Sequence, residues 1–251
     1  MNVTDAHPDT IAWWAQAIMI GGIVAAVLLP LGAIGTRFGI WQFQVGFLLL
    51  FGALVLSIIA VVGGVIGFAA CLKSGLVAER MPLLIGLGLA MVILGVMGWQ
   101  FNLARSVPPI HNVTTDVQDP PAFVVAPSLR GPEDNPIDYD PELLGPLQER
   151  AYPWLQPLLV SDMPDAAFAR SQLVLNEMGL EVTHADPDAG VLEAVATTFW
   201  FGFKDDMVVR IRPDEQGARI DLRSVSRVGQ GDLGANARRI AEFQRRYLEG
   251  T

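Results

Sequence analysis

Three long stretches without a charged residue fill the first 104 positions of the chain, and they constrain its fold more than any other feature. Asp, Glu, Lys and Arg are absent from Ile11 to Thr36, from Phe38 to Leu72 and from Met81 to Ala104. A bilayer core of about 30 Å requires about 20 apolar residues in a helix, and in lipid the backbone must satisfy its own hydrogen bonds. The pattern therefore predicts three transmembrane helices, at about 11–34, 43–70 and 82–104.

Small residues recur inside these spans at spacings that allow helices to approach closely. The second span contains Gly63, Gly64 and Gly67, and the third contains glycines at 86, 88, 95 and 98. The spacing fits three helices that pack on one another, and alternatively a homo-oligomer or a second membrane subunit. Channels and proton-coupled transporters usually place an ionisable residue inside a span, so the absence of charge argues against transport.

Flanking charges give little indication of the side of the membrane on which the rest of the chain lies. Lys73 and Arg80 lie in one loop, and Arg37 and Arg105 lie on the opposite side. The positive-inside rule thus counts two against two, and only the α-amino group favours a cytoplasmic N-terminus. Arginine outnumbers lysine 15 to 2, which is typical of a GC-rich bacterial genome. We therefore expect a multi-pass protein of the bacterial inner (plasma) membrane with a periplasmic soluble domain.

The 147 residues from 105 to 251 have the composition of a water-soluble domain. They contain 14 Lys and Arg against 23 Asp and Glu, which accounts for the whole net charge of −9. An acidic domain repels phosphate groups, so we expect no nucleic-acid partner and repulsion from an anionic lipid surface. The one cysteine, Cys71, lies in the second span, so we expect no disulfide and no cysteine-based metal site.

Proline divides this region into two parts. Eleven prolines lie between residues 105 and 160, a density that prevents long helices and removes backbone donors from strands. Apolar residues such as Phe123, Tyr152 and Trp154 are interspersed among them, and leaving these in water is costly. We therefore predict that 105–160 is extended chain packed on the domain, and that 161–251 is its core.

The pattern after residue 160 predicts an α+β core of two layers with an antiparallel sheet. Residues 164–178 have the apolar spacing of a helix, and a second helix is predicted from about 232 to 248. Between them lie four predicted strands, one of which continues from Val191 to Phe203. In the last two strands Ile211, Ile220 and Leu222 alternate with charged residues, which indicates one buried and one polar face.

Three separated blocks of this region resemble one known family. They are PPIHNVTTDVQDPPAF, TTFWFGFKDDMVVRIRP and DLRSVSRVGQGDLGANARRI, in that order. The blocks are similar to those of the DUF1499 family, a domain of unknown function, over about residues 108–248. Some members similarly carry hydrophobic helices ahead of the domain. The resemblance implies a domain boundary and implies no activity.

The glycine-containing block from 226 to 239 allows two interpretations. Gly229 and Gly231 permit a tight turn, and Asp232 occupies the position of an N-cap for the last helix. Alternatively, the free amides of that helix form an anion pocket together with the arginines at 227, 238 and 239.

Asp205 and Asp206 are assigned to the turn between two predicted strands, where acidic residues most often only form the turn. Adjacent carboxylates can also bind a cation or transfer protons. They can alternatively pair across the sheet with Arg210, Arg223 or Arg227, as exposed ion pairs that contribute little stability.

An aromatic run ends one predicted strand. Strict alternation directs Phe199, Phe201 and Phe203 to one side and Trp200 to the other. The run is either core with one exposed ring or a hydrophobic surface for lipid or a partner. Trp200 is the residue of this run that we expect to contact a lipid or a partner.

No catalytic constellation is recognisable, since Ser224 and Ser226 lack a nucleophile-elbow context and His111 and His184 lie in separate elements, too few for a metal site. We therefore expect a non-catalytic interaction or accessory protein, without a cofactor, whose partners are membrane lipids and a membrane subunit or a second copy. The alternative is a lipid-binding or small-anion-binding domain. Its candidate ligand residues are Trp200, Asp205, Asp206, Arg210, Arg223, Arg227, Asp232 and Arg239.

Overall fold

The computed structural model describes residues 11–250, which divide into two compact units on either side of the boundary between positions 102 and 103. Helices α1 (Trp13–Arg37), α2 (Phe43–Ser74) and α3 (Arg80–Ser106) begin in the first unit. Within the described residues these three helices are long and apolar enough to cross a membrane, which confirms the predicted spans. Residues 1–10 of the predicted membrane region and residue 251 of the predicted core lie outside the described residues.

The helices of the first unit approach one another closely at glycine residues. A Cβ atom on Gly22 of α1 would lie 2.7 Å from the carbonyl oxygen of Gly86 in α3, and a Cβ on Gly32 would lie 2.7 Å from that of Gly46 in α2. Such close approach of two backbones is possible only without side chains. A Cβ on Gly95, by contrast, would meet nothing within 4 Å. Part of the small-residue pattern thus serves packing within the chain.

The second unit is an antiparallel sheet with helices, which confirms the predicted α+β fold. Among the described residues the sheet has six strands, in the order β1-β6-β5-β4-β3, and β2 also pairs with β6. The strands are β1 (Asn112–Thr114), β2 (Leu158–Val160), β3 (Glu181–Asp186), β4 (Val191–Thr197), β5 (Lys204–Asp214) and β6 (Gly217–Ser226). The helices are α4 (Pro141–Ala151), α5 (Pro164–Glu177) and α6 (Ala235–Glu249), with a 3-10 helix at Ala126–Leu129.

The hydrophobic core lies between one face of the sheet and helices α5 and α6. Met207 and Val209 of β5, Leu222 of β6, and Phe243 and Tyr247 of α6 are completely buried in it. These strand residues occupy alternate positions, so they share a face, as the period of two requires. We call this side of the sheet the helix face.

The Pro-rich segment contains regular structure rather than extended chain alone. It supplies β1, β2 and α4, and both of its strands pair with the outer edge of β6. Helix α4 begins at Pro141, where a missing N–H costs nothing, and it also contains Pro146 in its interior. The Asp140 carboxylate accepts hydrogen bonds from the amides of Glu142 and Leu143 at 3.0 Å each. The segment is therefore part of the sheet as well as a cover for it.

Strand β4 ends at Thr197, so the predicted strand from Val191 to Phe203 is too long. Residues 198–203 form the turn between β4 and β5. The amide of Phe203 donates to the Thr198 hydroxyl at 2.9 Å, and Gly202 adopts a left-handed φ of 70°, a conformation that favours glycine. The reassigned turn corrects a second prediction, since Asp205 and Asp206 lie within β5 and not in a turn.

Candidate functional site

The side of the sheet opposite the helix face carries most of the candidate residues, and we call it the charged face. In β5 and β6 the cross-strand pairs Arg210–Asp221 and Arg212–Arg219 lie there. The side chains that define this face are Asp206, Arg210, Arg212, Arg219, Asp221 and Arg223. Residues 115–139 lie over the face, and their backbone and side chains bond to it. The charged face is thus covered in part by the chain itself, while the side chains of Arg212 and Arg219 remain 39% and 32% exposed.

Asp221 is the centre of an ion cluster. Its side chain is fully buried, and its carboxylate contacts Arg210 at 3.0 Å, Arg212 at 2.7 Å and Arg219 at 2.9 Å. Two acids of the covering segment complete the cluster, since Asp116 pairs with Arg219 at 2.6 Å and Asp119 pairs with Arg212 at 2.7 Å. Hydrogen bonds from Arg212 and then Arg210 lower the pKa of Asp119 below its ordinary value of 3.8. Arg210, a candidate ligand residue, is therefore engaged with carboxylates of its own domain.

Asp206 is held by two arginines. Its carboxylate contacts Arg130 of the covering segment at 2.7 Å and Arg227 at 2.7 Å, and its side chain is 1% exposed. Arg227 binds both carboxylate oxygens, through Nη2 to Oδ1 at 2.7 Å and Nε to Oδ2 at 3.0 Å, which is the stronger bidentate geometry. Both contacts of Arg130 go to Oδ2, with its Nε at 2.8 Å. The hydrogen bond to Asp206 raises the pKa of Arg227. This pair is buried, so the prediction of an exposed, weak ion pair is wrong.

Asp205 points to the opposite side of the strand from Asp206, because adjacent residues of a strand face opposite ways. Its carboxylate contacts Arg239 of α6 at 2.6 Å. Arg239 also donates to the Ser224 hydroxyl at 2.9 Å, and Ser224 donates to Asn236 Oδ1 at 2.7 Å. Asn236 in turn donates to Ser226 Oγ at 3.0 Å. The two aspartates therefore belong to separate networks and do not form a paired-carboxylate site.

Arg223 is a buried guanidinium that fastens the covering segment to the sheet. It donates to Asn112 Oδ1 at 3.0 Å and to the carbonyl of Pro121 at 3.1 Å, and also to the carbonyl of Ile137. Its guanidinium lies 5.2 Å from the centre of the Phe123 ring, within cation–π range. Removal from water lowers the pKa of Arg223 to about 10. The N–H groups of Arg223 donate to acceptors of the domain itself, an arrangement that stabilises the fold.

The N-cap residue of α6 is Gly234, so the prediction of Asp232 at that position is wrong by two residues, but the Asp232 side chain still bonds to the start of the helix. Its carboxylate accepts from the amides of Gly234 and Asn236 at 2.7 Å each, and Gly234 has a left-handed φ of 77°. Burial raises the pKa of Asp232 above 3.8. The structure therefore places a carboxylate of the chain itself where the alternative interpretation placed a bound anion.

Glu193 and Gln148 carry out structural roles that the sequence analysis missed. The buried Glu193 carboxylate, from β4, accepts from the amides of Val125 at 3.1 Å and Ala126 at 2.7 Å, where the 3-10 helix begins. The buried Gln148 amide group pairs with both backbone groups of Thr114, at 2.9 and 2.6 Å, and so extends the edge of β1. A signal existed for Glu193, a lone acid within the apolar run VLEAVA, whereas Gln148 stands in an unremarkable polar helix.

Trp200 is the candidate residue that the structure leaves at the surface. It lies in the turn of residues 198–203, which we call the aromatic turn. Its side chain is 61% exposed and that of Phe199 is 75% exposed. The two rings meet edge to face, with centroids 5.2 Å apart. The predicted alternation of these aromatics does not apply, because they lie in a turn.

Two further observations bear on ligand chemistry. An open cleft of about 430 Å³ lies beside the covering segment, and its lining includes Thr115, Gln118, Glu149, Gln156 and Arg219. Within residues 11–250 no three His, Cys, Asp or Glu side chains come together as a metal site would require. The structure therefore supplies a polar cleft and an exposed aromatic turn, and it separates the eight candidate ligand residues into several clusters.

The family comparison agrees with the domain boundary. A family model described as "Protein of unknown function (DUF1499)" matches residues 112–246, more than half of the chain and nearly all of the sheet unit. The match confirms the resemblance found in the three sequence blocks. No curated protein matches the chain.

Proposed function

The chain belongs to the DUF1499 family, and from this premise we propose that it is a membrane-anchored, non-catalytic accessory protein that presents a rigid acidic domain to a protein partner at the membrane surface. One observation carries the proposal. The charged candidate residues, from Asp205 to Arg239, are engaged in bonds within the domain. Charged residues that fasten residues 115–139 to the sheet stabilise the domain. A stable domain with a membrane anchor is suited to positioning a partner protein.

The anchor supports the same proposal. Charged residues are absent from the central parts of α1, α2 and α3, and backbones approach closely at Gly22 and Gly86. Such helices are suited to packing, with one another or with a second membrane protein. Membrane lipids surround them in any case.

The partner is tested by crosslinking the tagged full chain in native membranes before solubilisation. We expect one protein to co-purify at a fixed stoichiometry, because a rigid presenting surface defines one binding mode. As a matched control, the same experiment with Arg150→Lys, an exposed change, is expected to give the same stoichiometry. A chain that purifies alone from crosslinked membranes would count against the proposal.

The alternative function, lipid binding by the domain, is favoured by the exposure of Trp200 and Phe199. Native mass spectrometry of the full chain distinguishes it. A retained lipid that is lost in Trp200→Ala and kept in Trp154→Ala would favour this alternative, since Trp154 is also half-exposed (51%). A small anion is a weaker candidate because the arginines that would bind it contact carboxylates and carbonyls of the domain.

We also propose that the membrane is the inner membrane of a bacterium and that the domain lies on its periplasmic side. The positive charge of the α-amino group supports this orientation. The high ratio of arginine to lysine supports a bacterial source. Fusions at the C-terminus test it. Alkaline phosphatase, which requires an oxidising compartment, should be active there, whereas a cytoplasmic reporter such as green fluorescent protein should be dark. The opposite result would reverse the orientation and leave the anchor unchanged.

A further inference from the structure

We propose that the aromatic turn inserts into the headgroup region of the same membrane that holds α1, α2 and α3, and so gives the domain a second point of attachment. The inference rests on the membrane anchoring in the proposed function and names a lipid surface as the occupant. Its basis is the shape of the turn, its place in the sheet and the point at which the chain enters the domain.

The aromatic turn is a closed structure that exposes the rings of Phe199 and Trp200. The amide of Thr198 donates to the Phe203 carbonyl at 2.8 Å and the amide of Gly202 donates to the Thr198 carbonyl at 3.1 Å. The sequence of the turn, TFWFGF, contains no charge. A fixed turn that exposes a tryptophan and a phenylalanine loses little conformational freedom when it inserts, because its backbone is already ordered.

The sheet places this turn at the end where the chain enters the domain. His111, which precedes β1, accepts from the amide of Ser226 at 2.8 Å, and the amide of Arg227 donates to Lys204 at 3.0 Å. Thr197 pairs with Lys204. The start of β1 and the aromatic turn therefore lie at one end of the sheet, three strand spacings or about 14 Å apart.

The entry point is close to the membrane by chain length alone. Helix α3 ends at Ser106 and β1 begins at Asn112, and so short a connection reaches at most about 20 Å. The charge-free part of α3 continues to Ala104. The end of the sheet that carries the aromatic turn is thus the end at which the chain from α3 enters the domain.

Two more apolar side chains are exposed at this end. Leu233 is 37% exposed and has a left-handed φ of 55°, which no other described residue except glycine adopts. It lies next to Asp232, whose amide donates to Ile110 at 3.3 Å. Leu129 is 43% exposed, and its carbonyl accepts from Arg227 at 2.9 Å. The apolar surface around the turn is therefore wider than the two rings.

The chemistry of the turn fits a lipid interface. Indole rings settle at the headgroup level of bilayers, and insertion of an uncharged turn does not require anionic lipid. The acidic domain is repelled by a negative surface, so we expect insertion to be deepest in a zwitterionic membrane and shallower as anionic lipid is added.

The test uses the full chain with Cys71→Ala, reconstituted in phosphatidylcholine nanodiscs, with a nitroxide label on Trp200→Cys. Met163→Cys is the matched control, because Met163 is 69% exposed and follows Asp162, which lies beside Gly217 at the opposite end of the sheet. Ile59→Cys, in the middle of α2, is the membrane control. Collision rates with oxygen, which concentrates in lipid, and with a water-soluble nickel chelate are measured at each label.

We expect the ratio of oxygen to nickel collisions at position 200 to be several-fold higher than at position 163, and to fall when phosphatidylglycerol is added. Equal ratios at 200 and 163, with a lipid-like value at 59, would overturn the inference and leave the anchor intact. Shielding of position 200 from both reagents would overturn it in favour of a protein contact. A water-like value at 59 would overturn both the inference and the anchoring on which it rests.

Discussion

The two faces of the same sheet are both covered by other parts of the domain, but the contacts that hold the two covers are chemically different. The helix face is covered by apolar side chains of α5 and α6, and Leu222 lies at its centre. The charged face is covered by residues 115–139, which are held by arginines that donate to carboxylates and backbone carbonyls. Apolar contacts tolerate small adjustments, whereas the buried ions require every partner in place. The comparison shows that a charged strand face is not necessarily a solvent-exposed or ligand-binding face.

The largest effect is expected for Asp221→Asn on the charged face. The change removes the carboxylate that three arginines share, and breaking a buried ion cluster costs about 3–5 kcal/mol of the free energy of unfolding. Hydrogen exchange at the β6 amides measures this loss in the full chain. Asp214→Asn, an exposed change near the end of β5, is the control and should have little effect. A loss no larger than that of the control would mean that the cluster does not hold the cover.

A somewhat smaller loss is expected for Leu222→Ala on the helix face. Removal of a fully buried leucine leaves a cavity and costs about 2–5 kcal/mol. The same amides report it, with Leu159→Ala as the exposed control (63%). A loss no larger than that of the control would mean that the helix face does not depend on this apolar contact.

Arg223→Lys tests whether the shape of the guanidinium matters in addition to its charge. Lysine keeps the charge but cannot reach Asn112, Pro121 and Ile137 together from one planar group. Buried acceptors left without a donor cost about 1–3 kcal/mol. We expect residues 119–139 to exchange faster while the helix face is unchanged. Arg150→Lys is the control, and similar exchange in both variants would contradict a fastening role.

The smallest effect is expected for Asp119→Asn, at the exposed rim of the charged face. Asp119 is 61% exposed, so the loss should be below about 1 kcal/mol. Its pKa is lowered by folding, so its contribution is present above the ordinary pKa of 3.8 and is lost as the pH falls through the lower folded pKa. The difference from the wild type should therefore shrink from about pH 5 to about pH 2. Asp188→Asn is the exposed control, and a difference that grows on acidification would contradict the assignment.

The two faces also differ in how far the sequence predicts them. Alternation in β5 and β6 places Ile211, Ile220 and Leu222 on a buried face, as observed. The same alternation marks Arg210 and Asp221 as polar and does not indicate whether water or protein covers them. Coverage depends on a segment about 100 residues away, whose contribution is largely backbone carbonyls, and carbonyls have no sequence signature.

The candidate site is only partly predictable from the sequence, because some of its contacts depend on distant parts of the chain. The bonds of Asp232 to the start of α6 follow from local sequence, because the amides it accepts from, those of Gly234 and Asn236, lie only two and four residues further on. The separation of Asp205 from Asp206 depends on where β4 ends and β5 begins. Aromatic residues are enriched in strands, so the run from Phe199 to Phe203 favours a strand that continues beyond Thr197. Trp200 was predicted as an exposed ring, and the structure exposes it in a turn rather than along a strand.

The position of β6 has a consequence for the order in which the domain is completed during synthesis. β1 and β2 both pair with β6, and Asn112 pairs with Val225. β1 therefore cannot pair until the ribosome has made β6, more than 100 residues later. At ordinary elongation rates this delay is roughly 5–20 seconds. Throughout that interval the emerging chain is tethered by α3, and Asp116 and Asp119 lack Arg219 and Arg212, the partners with which they pair in the folded domain. A chain truncated before β6 would therefore yield an anchored but unfolded tail, not a smaller domain.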